Sequence, residues 1–428
     1  MIPAAFKEEE SLLELEREFR TALLCAGAPV FVQLLQGRID RIDAAYQARV
    51  SQVRMGRRTV RVETLFGEVA IERDYYHDAH VHEGHCPADA ALGFEGLYTP
   101  ALARLMCRAA AEQSYQEGSR DLAEYGGIKV DERQIQRMVL GIGPDVAPWL
   151  HDYAGDPKEV PIMYISCDGT GAPMRKEELT GRKGKQPDGT AKTREVKLGA
   201  VFTQHTRDEE GRPVRDHLST TYVGGFENAQ DFALILRQEG IRRGVGKAKQ
   251  VVFLSDGAAW TEELQRQNFA GAVSILDFYH GAERIHELSK AIDSDEVVAK
   301  KRAGKWIRSL LKDKVNQVIE QAREILPPDP EKRKAATEQI NFLNAHQKRM
   351  NYGTYRKKGW FIGSGVIEAG CKTVVGKRLK QSGMFWSEPG ASSVLQFRTL
   401  LLSRRFDAFW TDRQNQAAAR NDTLALDA

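Results

Sequence analysis

Two stretches decide how this chain reads: Val160-Pro161-Ile162-Met163-Tyr164-Ile165-Ser166-Cys167-Asp168-Gly169 and Val251-Val252-Phe253-Leu254-Ser255-Asp256-Gly257. Each is an apolar run of strand length that stops at an Asp-Gly step. An unbroken run such as Val251 to Leu254 is what a strand buried on both faces requires. Outward from these two, the pattern predicts further strands over 196–203, 220–223 and 273–276, with helices over 228–243 and 259–268. Three strands, helix, strand, helix, strand is a mixed α/β order.

In open α/β sheets the functional crevice lies outside the carboxyl ends of the strands. Asp168 and Asp256 are both expected there. A single Asp-Gly step is more often a plain turn; the strand order sets this pair apart. A third acid, Glu368, falls one turn into a helix that opens after Gly363-Ser364-Gly365. Three carboxylates with no basic partner in their own motifs repel one another. A hard divalent cation, Mg²⁺ or Mn²⁺, would relieve that, because it takes oxygen ligands and keeps positions for phosphate and water. Such a trio suits in-line phosphoryl displacement.

The surroundings are basic. Arg175 to Arg194 holds seven basic side chains against three acidic ones, Arg182, Lys183 and Lys185 among them. The segment 348–380 carries nine basic residues, including Lys372, Arg378 and Lys380, against the one acid Glu368. Tyr352, Tyr355, Trp360 and Phe361 are interleaved. Basic side chains neutralise phosphate and aromatics stack on bases, so a nucleic-acid substrate is expected beside the acids. The net charge of the 428 residues is only +3, so this expectation rests on where the charge lies. Competing motifs fail: Gly363-Ser364-Gly365-Val366-Ile367-Glu368 has Glu where a dinucleotide fingerprint needs its third glycine, and there is no P-loop sequence.

The N-terminal third reads differently. Residues 6–50 have helical spacing. Val60, Val62, Val69 and Ile71 alternate with polar residues around Phe66-Gly67-Glu68, a hairpin pattern. His77, His80, His82, His85 and Cys86 follow, read either as a polar loop or as a zinc site. Ser114 to Glu117 is a capping box. After Gly126-Gly127, Asp131 starts a second short helix with Arg133 and Arg137 on its polar face. This helix pair is compatible with a helix-turn-helix entering a major groove. Apolar residues make up 42% of the chain and charged ones 28%, an ordinary globular mixture. No apolar run reads as a membrane span, no signal peptide is visible, and five scattered cysteines fit a reducing cytoplasm.

Cys167-Asp168-Gly169-Thr170-Gly171-Ala172-Pro173-Met174, Gly181-Arg182-Lys183-Gly184-Lys185, Leu254-Ser255-Asp256-Gly257-Ala258, Leu276-Asp277-Phe278-Tyr279-His280 and Gly363 to Glu368 together resemble the DDE transposases of bacterial insertion sequences, in the ISKra-type group. The resemblance spans about 58 to 405. It implies an α/β, ribonuclease-H-like catalytic domain with the acid trio on Asp168, Asp256 and Glu368. It also implies an α-helical insertion before Glu368, and an Asp-x-x-His signature at Asp277 and His280, with His280 positioning the DNA end. The lone Cys86 departs from the paired cysteines the group often carries. The expected organisation is a helical region at 1–57, a hairpin and His/Cys-rich loop at 58–98, and a DNA-binding helix pair at 99–150. The catalytic core would occupy 151–286 and 351–410, with a helical insertion at 287–350 and a flexible tail at 411–428. The implied partners are double-stranded DNA, as element ends and target, and further copies of the chain in a homodimer or larger assembly. The implied setting is a bacterial cytoplasm, at the nucleoid. A nuclease on the same fold without strand transfer and a DNA-binding regulator are the alternatives.

Overall fold

The computed structural model describes residues 11–155, 157–182, 184 and 189–426. The chain divides into two compact units, one of 1–146 with 404–428 and one of 147–403.

The first unit opens on a helix, Leu12–Ala45, held at its start by a reciprocal Ser11/Glu14 capping box. The hairpin is longer than the alternation indicated: β1 (Gln52–Thr64) pairs antiparallel with β2 (Gly67–Asp78), and β3 (Glu83–His85) adds to its edge. Gly67 takes the left-handed φ of 96° that the tight reversal needs. Val62, Val69 and Ile71 bury one hairpin face against Ile39 and Ile42 of the long helix. Short helices follow at Pro100–Glu112, Tyr115–Gly126 and Glu132–Ile142, the last two opening on capping boxes at Ser114 and Asp131. The first part of the segment expected as a flexible tail, 411–428, is held, and residues 427–428 lie outside the described residues. Phe406–Leu426 is a helix whose Arg413 pairs with Glu95 at 2.6 Å and Asp145 at 2.7 Å, and whose Ala417 is buried. The reading of membrane spans is also corrected. Leu12–Ala45 is long and apolar enough to cross a bilayer by length and composition, because Thr21 to Gly37 carries no Asp, Glu, Lys or Arg.

The second unit is built on a five-stranded sheet. Its strands are β4 (Ile162–Pro173), β5 (Thr193–Gln204), β8 (Thr221–Gly225), β9 (Gln250–Ser255) and β10 (Val273–Leu276); a small ribbon, β6 (Thr206–Arg207) with β7 (Pro213–Val214), lies outside it. The spatial order is β10-β9-β4-β5-β8. β4, β5 and β8 run antiparallel in sequence, while β9 and β10 are parallel to β4. Alternate residues point to opposite faces. Met163, Ile165, Cys167 and Phe253 bury one face with Phe232 and Leu236 of the Ala229–Arg242 helix and Leu264 of Ala259–Asn268. Tyr164, Phe202, Val252 and Leu254 bury the other against the helices that follow β10: Phe278–Ile292, Glu296–Leu310, Val315–Glu324 and Pro330–His346. Trp306, with its ring N–H on Gln321 at 3.0 Å, centres that second core.

Candidate active site

Asp168 does not end its strand. β4 runs on to Pro173, because Asp168 through Pro173 pair with Leu198 back to Thr193 of β5. The Asp-Gly step that reads as a turn is interior sheet, and glycine suits position 169 because a Cβ there would strike the Glu195 side chain. Asp256 does follow its strand directly. The β4–β9 register pairs Ser166 with Leu254, and the Ser166 hydroxyl donates to the Leu254 carbonyl at 2.8 Å. Each aspartate lies two residues further on: Asp168 is within β4, on the face that carries Tyr164, and Asp256 follows the end of β9, close enough for its charge to act on Asp168.

Their local bonds fix each carboxylate. The Gly169 N–H donates to Asp168 Oδ1 at 2.7 Å, and the Cys371 thiol lies 3.6 Å from Oδ2. The Ala258 N–H donates to Asp256 Oδ1 at 2.9 Å, across a turn whose Gly257 has φ 86°. Burial raises the pKa of Asp168, and the charge of Asp256 adds to that rise against the Gly169 N–H. Burial, then the nearby Asp168 charge, pushes the Cys371 thiol up to about 12, so it stays protonated.

Glu368 comes from a helix, Gly365–Gly370, that passes into a π-helical turn at Cys371–Gly376. Ser364 ties it down, its hydroxyl donating to Glu368 Oε1 at 2.9 Å. Asp277 is the N-cap of Phe278–Ile292. Fully buried, its Oδ1 accepts the His280 N–H at 2.7 Å and faces His280 Nδ1 at 3.0 Å, while Oδ2 accepts the Ser364 N–H. Burial alone would raise the Asp277 pKa, but the His280 and Ser364 hydrogen bonds outweigh it and hold the carboxyl below its ordinary value. The same hydrogen bond raises the pKa of His280, against burial.

Among the described residues, Asp277, His280 and Glu368 form a group whose ligand atoms lie within 4.8 Å of one another. The trio expected from sequence is not such a group. Asp277 already accepts N–H donors on both oxygens, from His280 and from Ser364, so fewer of its lone pairs are open than on Glu368, which accepts the Ser364 hydroxyl. Asp168, Asp256 and Glu368 are half-buried, and no Lys or Arg among the described residues forms a salt bridge with any of them. Carboxylates without a basic partner, with the Asp256 charge adding to the raised pKa of Asp168, are the oxygen donors a hard divalent cation takes. Arg349, unremarked in the sequence except as one of a basic run, stands behind Asp256, donating to Ser255 Oγ at 2.7 Å and pairing with Glu262. Ser364, Cys371 and Arg349 were missed because their roles exist only once distant segments meet.

The expected DNA contacts divide. Arg133, Arg137, Arg182, Lys372 and Lys380 are exposed, and Lys380 reaches the Thr170 hydroxyl beside Asp168. Lys183 and Lys185 lie outside the described residues. Arg378 is withdrawn. It is fully buried, with its guanidinium 4.9 Å over the Trp386 ring, where burial and the ring face hold the cation away from any DNA. In the His77–Cys86 segment, no three ligand atoms converge among the described residues. His85 stands 3.0 Å from the Tyr46 hydroxyl and stacks on Tyr76, and Cys86 is buried.

Fold and acids together define an α/β protein with half-buried carboxylates at Asp168 in β4, at Asp256 after β9 and at Glu368 on the Gly365–Gly370 helix. By its sequence, the chain belongs to the uncharacterised protein family UPF0236, whose model matches residues 6–405. That is a different family description from the ISKra-type group its motifs resemble. Comparison with curated proteins finds no match. Among solved structures, the chain is similar to the Drosophila P element transposase strand transfer complex, at 10% identity and a TM-score of 0.25, over 72% of this chain and 80% of that one.

Proposed function

We propose that residues 147–403 are a ribonuclease-H-like catalytic core that cuts and rejoins DNA, and that the whole chain is a transposase binding the ends of its own element. The observation that carries this reading is that Asp168 in β4 and Asp256 directly after the adjacent parallel β9 lie near enough for the Asp256 charge to raise the Asp168 pKa, with Glu368 following the helical insertion in the chain. The strand order supports it too: three antiparallel strands in sequence, then two parallel strands on the open side of the first.

Asp168, Asp256 and Glu368 would hold Mg²⁺ or Mn²⁺, which when bound supplies Lewis acidity to a phosphodiester and its attacking oxygen. The protein's own contributions are legible in its side chains. Asp277 fixes the ring of His280 through Nδ1, leaving Nε2 as a donor for a phosphate oxygen when the imidazole is protonated. Lys380 and Lys372 add cations on the Glu368 segment, where the DNA backbone would lie. Arg133 and Arg137, on the exposed face of the Glu132–Ile142 helix, are the proposed readers of the element ends.

The test is a plasmid carrying the gene with its flanking DNA, incubated with the protein, Mg²⁺ and a target duplex. Strand cleavage and 3′-end joining are expected from the wild type, with both lost in Asp168→Asn, Asp256→Asn and Glu368→Gln while end binding persists. Cleavage without joined product would replace this reading with a nuclease. Binding without cleavage would replace it with a regulator.

A further inference from the structure

We infer that the N-terminal helix is a self-association surface that seats a second copy of this chain antiparallel to itself. On the Leu12–Ala45 helix, Leu12, Leu23 and Leu34 recur every eleven residues, and so do Phe19, Val30 and Arg41. Eleven residues are three turns at about 3.67 residues each, so these side chains fall on one nearly straight row. Leu12, Phe19, Leu23, Val30 and Leu34 are 71%, 44%, 57%, 59% and 70% exposed. The opposite side of the helix is already in use: Arg17 pairs with Glu124, and Ile39 and Ile42 are buried against the hairpin. An exposed apolar row of roughly 33 Å from Leu12 to Leu34, at 1.5 Å per residue, is more than scattered surface residues account for.

The row itself names the occupant. Arg38 flanks the row, and the row's own charged members are Glu16 near the start and Arg41 near the end. Both are exposed, and neither has an ion-pair partner among the described residues. Glu16 and Arg41 are equidistant from the point between Ala28 and Pro29. So are Leu23 and Leu34, and so are Phe19 and Arg38. A two-fold axis through that point places Glu16 against Arg41 of a second copy twice over, and Leu23 against Leu34, which is the self-complementarity an isologous contact needs. It also brings the partner's apolar end onto an open groove of about 860 Å³, whose walls include Leu34, Arg38, Arg41, Phe66, Phe94 and Trp410. A bilayer would meet Glu16 and Arg41 as unpaired charges; a second copy pairs them. This surface lies outside residues 147–403, so it does not depend on the catalytic reading.

The test uses the full chain in analytical ultracentrifugation. The wild type should sediment at twice the chain mass at micromolar concentration. Glu16→Arg and Arg41→Glu alone should each weaken the dimer by about tenfold or more, since each places two like-charged pairs across the axis. Glu16→Arg with Arg41→Glu should restore it, a rescue that general damage to the fold would not give. Far-UV circular dichroism should show the same helix content in all four proteins. A monomeric wild type overturns the inference, as does a double variant that stays dissociated. A wild type that is monomeric in buffer but co-sediments with phosphatidylcholine–phosphatidylglycerol vesicles assigns the face to lipid instead. Asp168→Asn should leave the dimer unchanged.

Discussion

Asp168 lies within β4 and Asp256 directly after β9, each two residues beyond the Ser166–Leu254 pair that ends the β4–β9 register, and the charge of Asp256 adds to the raised pKa of Asp168. Two carboxylates in that relation, with no basic side chain bridging them, raise the energy of the folded protein when both are ionised. The folded chain keeps them at a cost that a cation would remove, which is why their pairing carries the functional reading.

That cost is measurable. Without divalent metal at neutral pH, Asp168→Asn should melt a few degrees higher than the wild type, because it removes the buried charge and its repulsion. Adding Mg²⁺ should raise the melting temperature of the wild type and leave that of Asp168→Asn nearly unmoved. Differential scanning fluorimetry with and without Mg²⁺ checks both; a variant less stable than the wild type in metal-free buffer would count against the relation.

Asp277→Asn should lower the pKa of His280 toward its ordinary 6.5, because the hydrogen bond that raises it is weakened. The pair's contribution to stability is fully present below 6.5 and fades as pH rises through the folded value, so the variant should flatten that part of the profile. Histidine titration by NMR reads the shift directly. An unchanged His280 pKa would show that Asp277 does not hold the ring.

Arg54 and Asp74 in the hairpin make a pH test far from the carboxylate cluster. The guanidinium grips the carboxylate through two bonds, at 2.6 and 2.7 Å, and that grip holds the Asp74 pKa below its ordinary 3.8. Its contribution to stability is therefore present above 3.8 and lost as pH falls through the folded value. Asp74→Asn should lose stability at neutral pH and converge with the wild type in acid. Urea denaturation at neutral pH and in acid, with both proteins equally stable at each, would refute it.

Lys380 and Arg378 are two residues apart and should behave in opposite ways. Lys380→Ala should weaken DNA binding and reduce the slope of log affinity against log salt by about 0.9, with the fold intact. Arg378→Ala should destabilise the fold, because it opens a void beside Trp386. Fluorescence anisotropy across a salt series, paired with thermal melts, separates the two. A salt slope reduced by Arg378→Ala in a protein of unchanged stability would reverse the assignment.

The contrast between those neighbours shows what local sequence can and cannot reveal. Val273–Leu276 carries its strand in its own apolar residues, and the sequence reading matches its bounds. Ser114 and Asp131 carry helix starts in their own side chains. Asp168 was misplaced at a strand end because the continuation through Pro173 is enforced by pairing with β5, twenty and more residues away. Arg378 looked like surface because nothing local announces Trp386 or the π-helical turn at Cys371–Gly376, which shifts the facing of the residues after it. The tail looked free because Arg413 finds Glu95 only in the folded chain. The acids were legible from strand ends and a helix start; the bonds that hold them, through Ser364, Cys371 and Asp277, were legible only in part, at the Asp-x-x-His spacing.

The central claim, that Asp168, Asp256 and Glu368 share a divalent cation, is tested most directly by anomalous diffraction from crystals grown with Mn²⁺. The account predicts a manganese peak at the Asp168, Asp256 and Glu368 carboxylates. A peak held by Asp277, His280 and Glu368 with both strand aspartates empty, or no peak at saturating Mn²⁺, would contradict it.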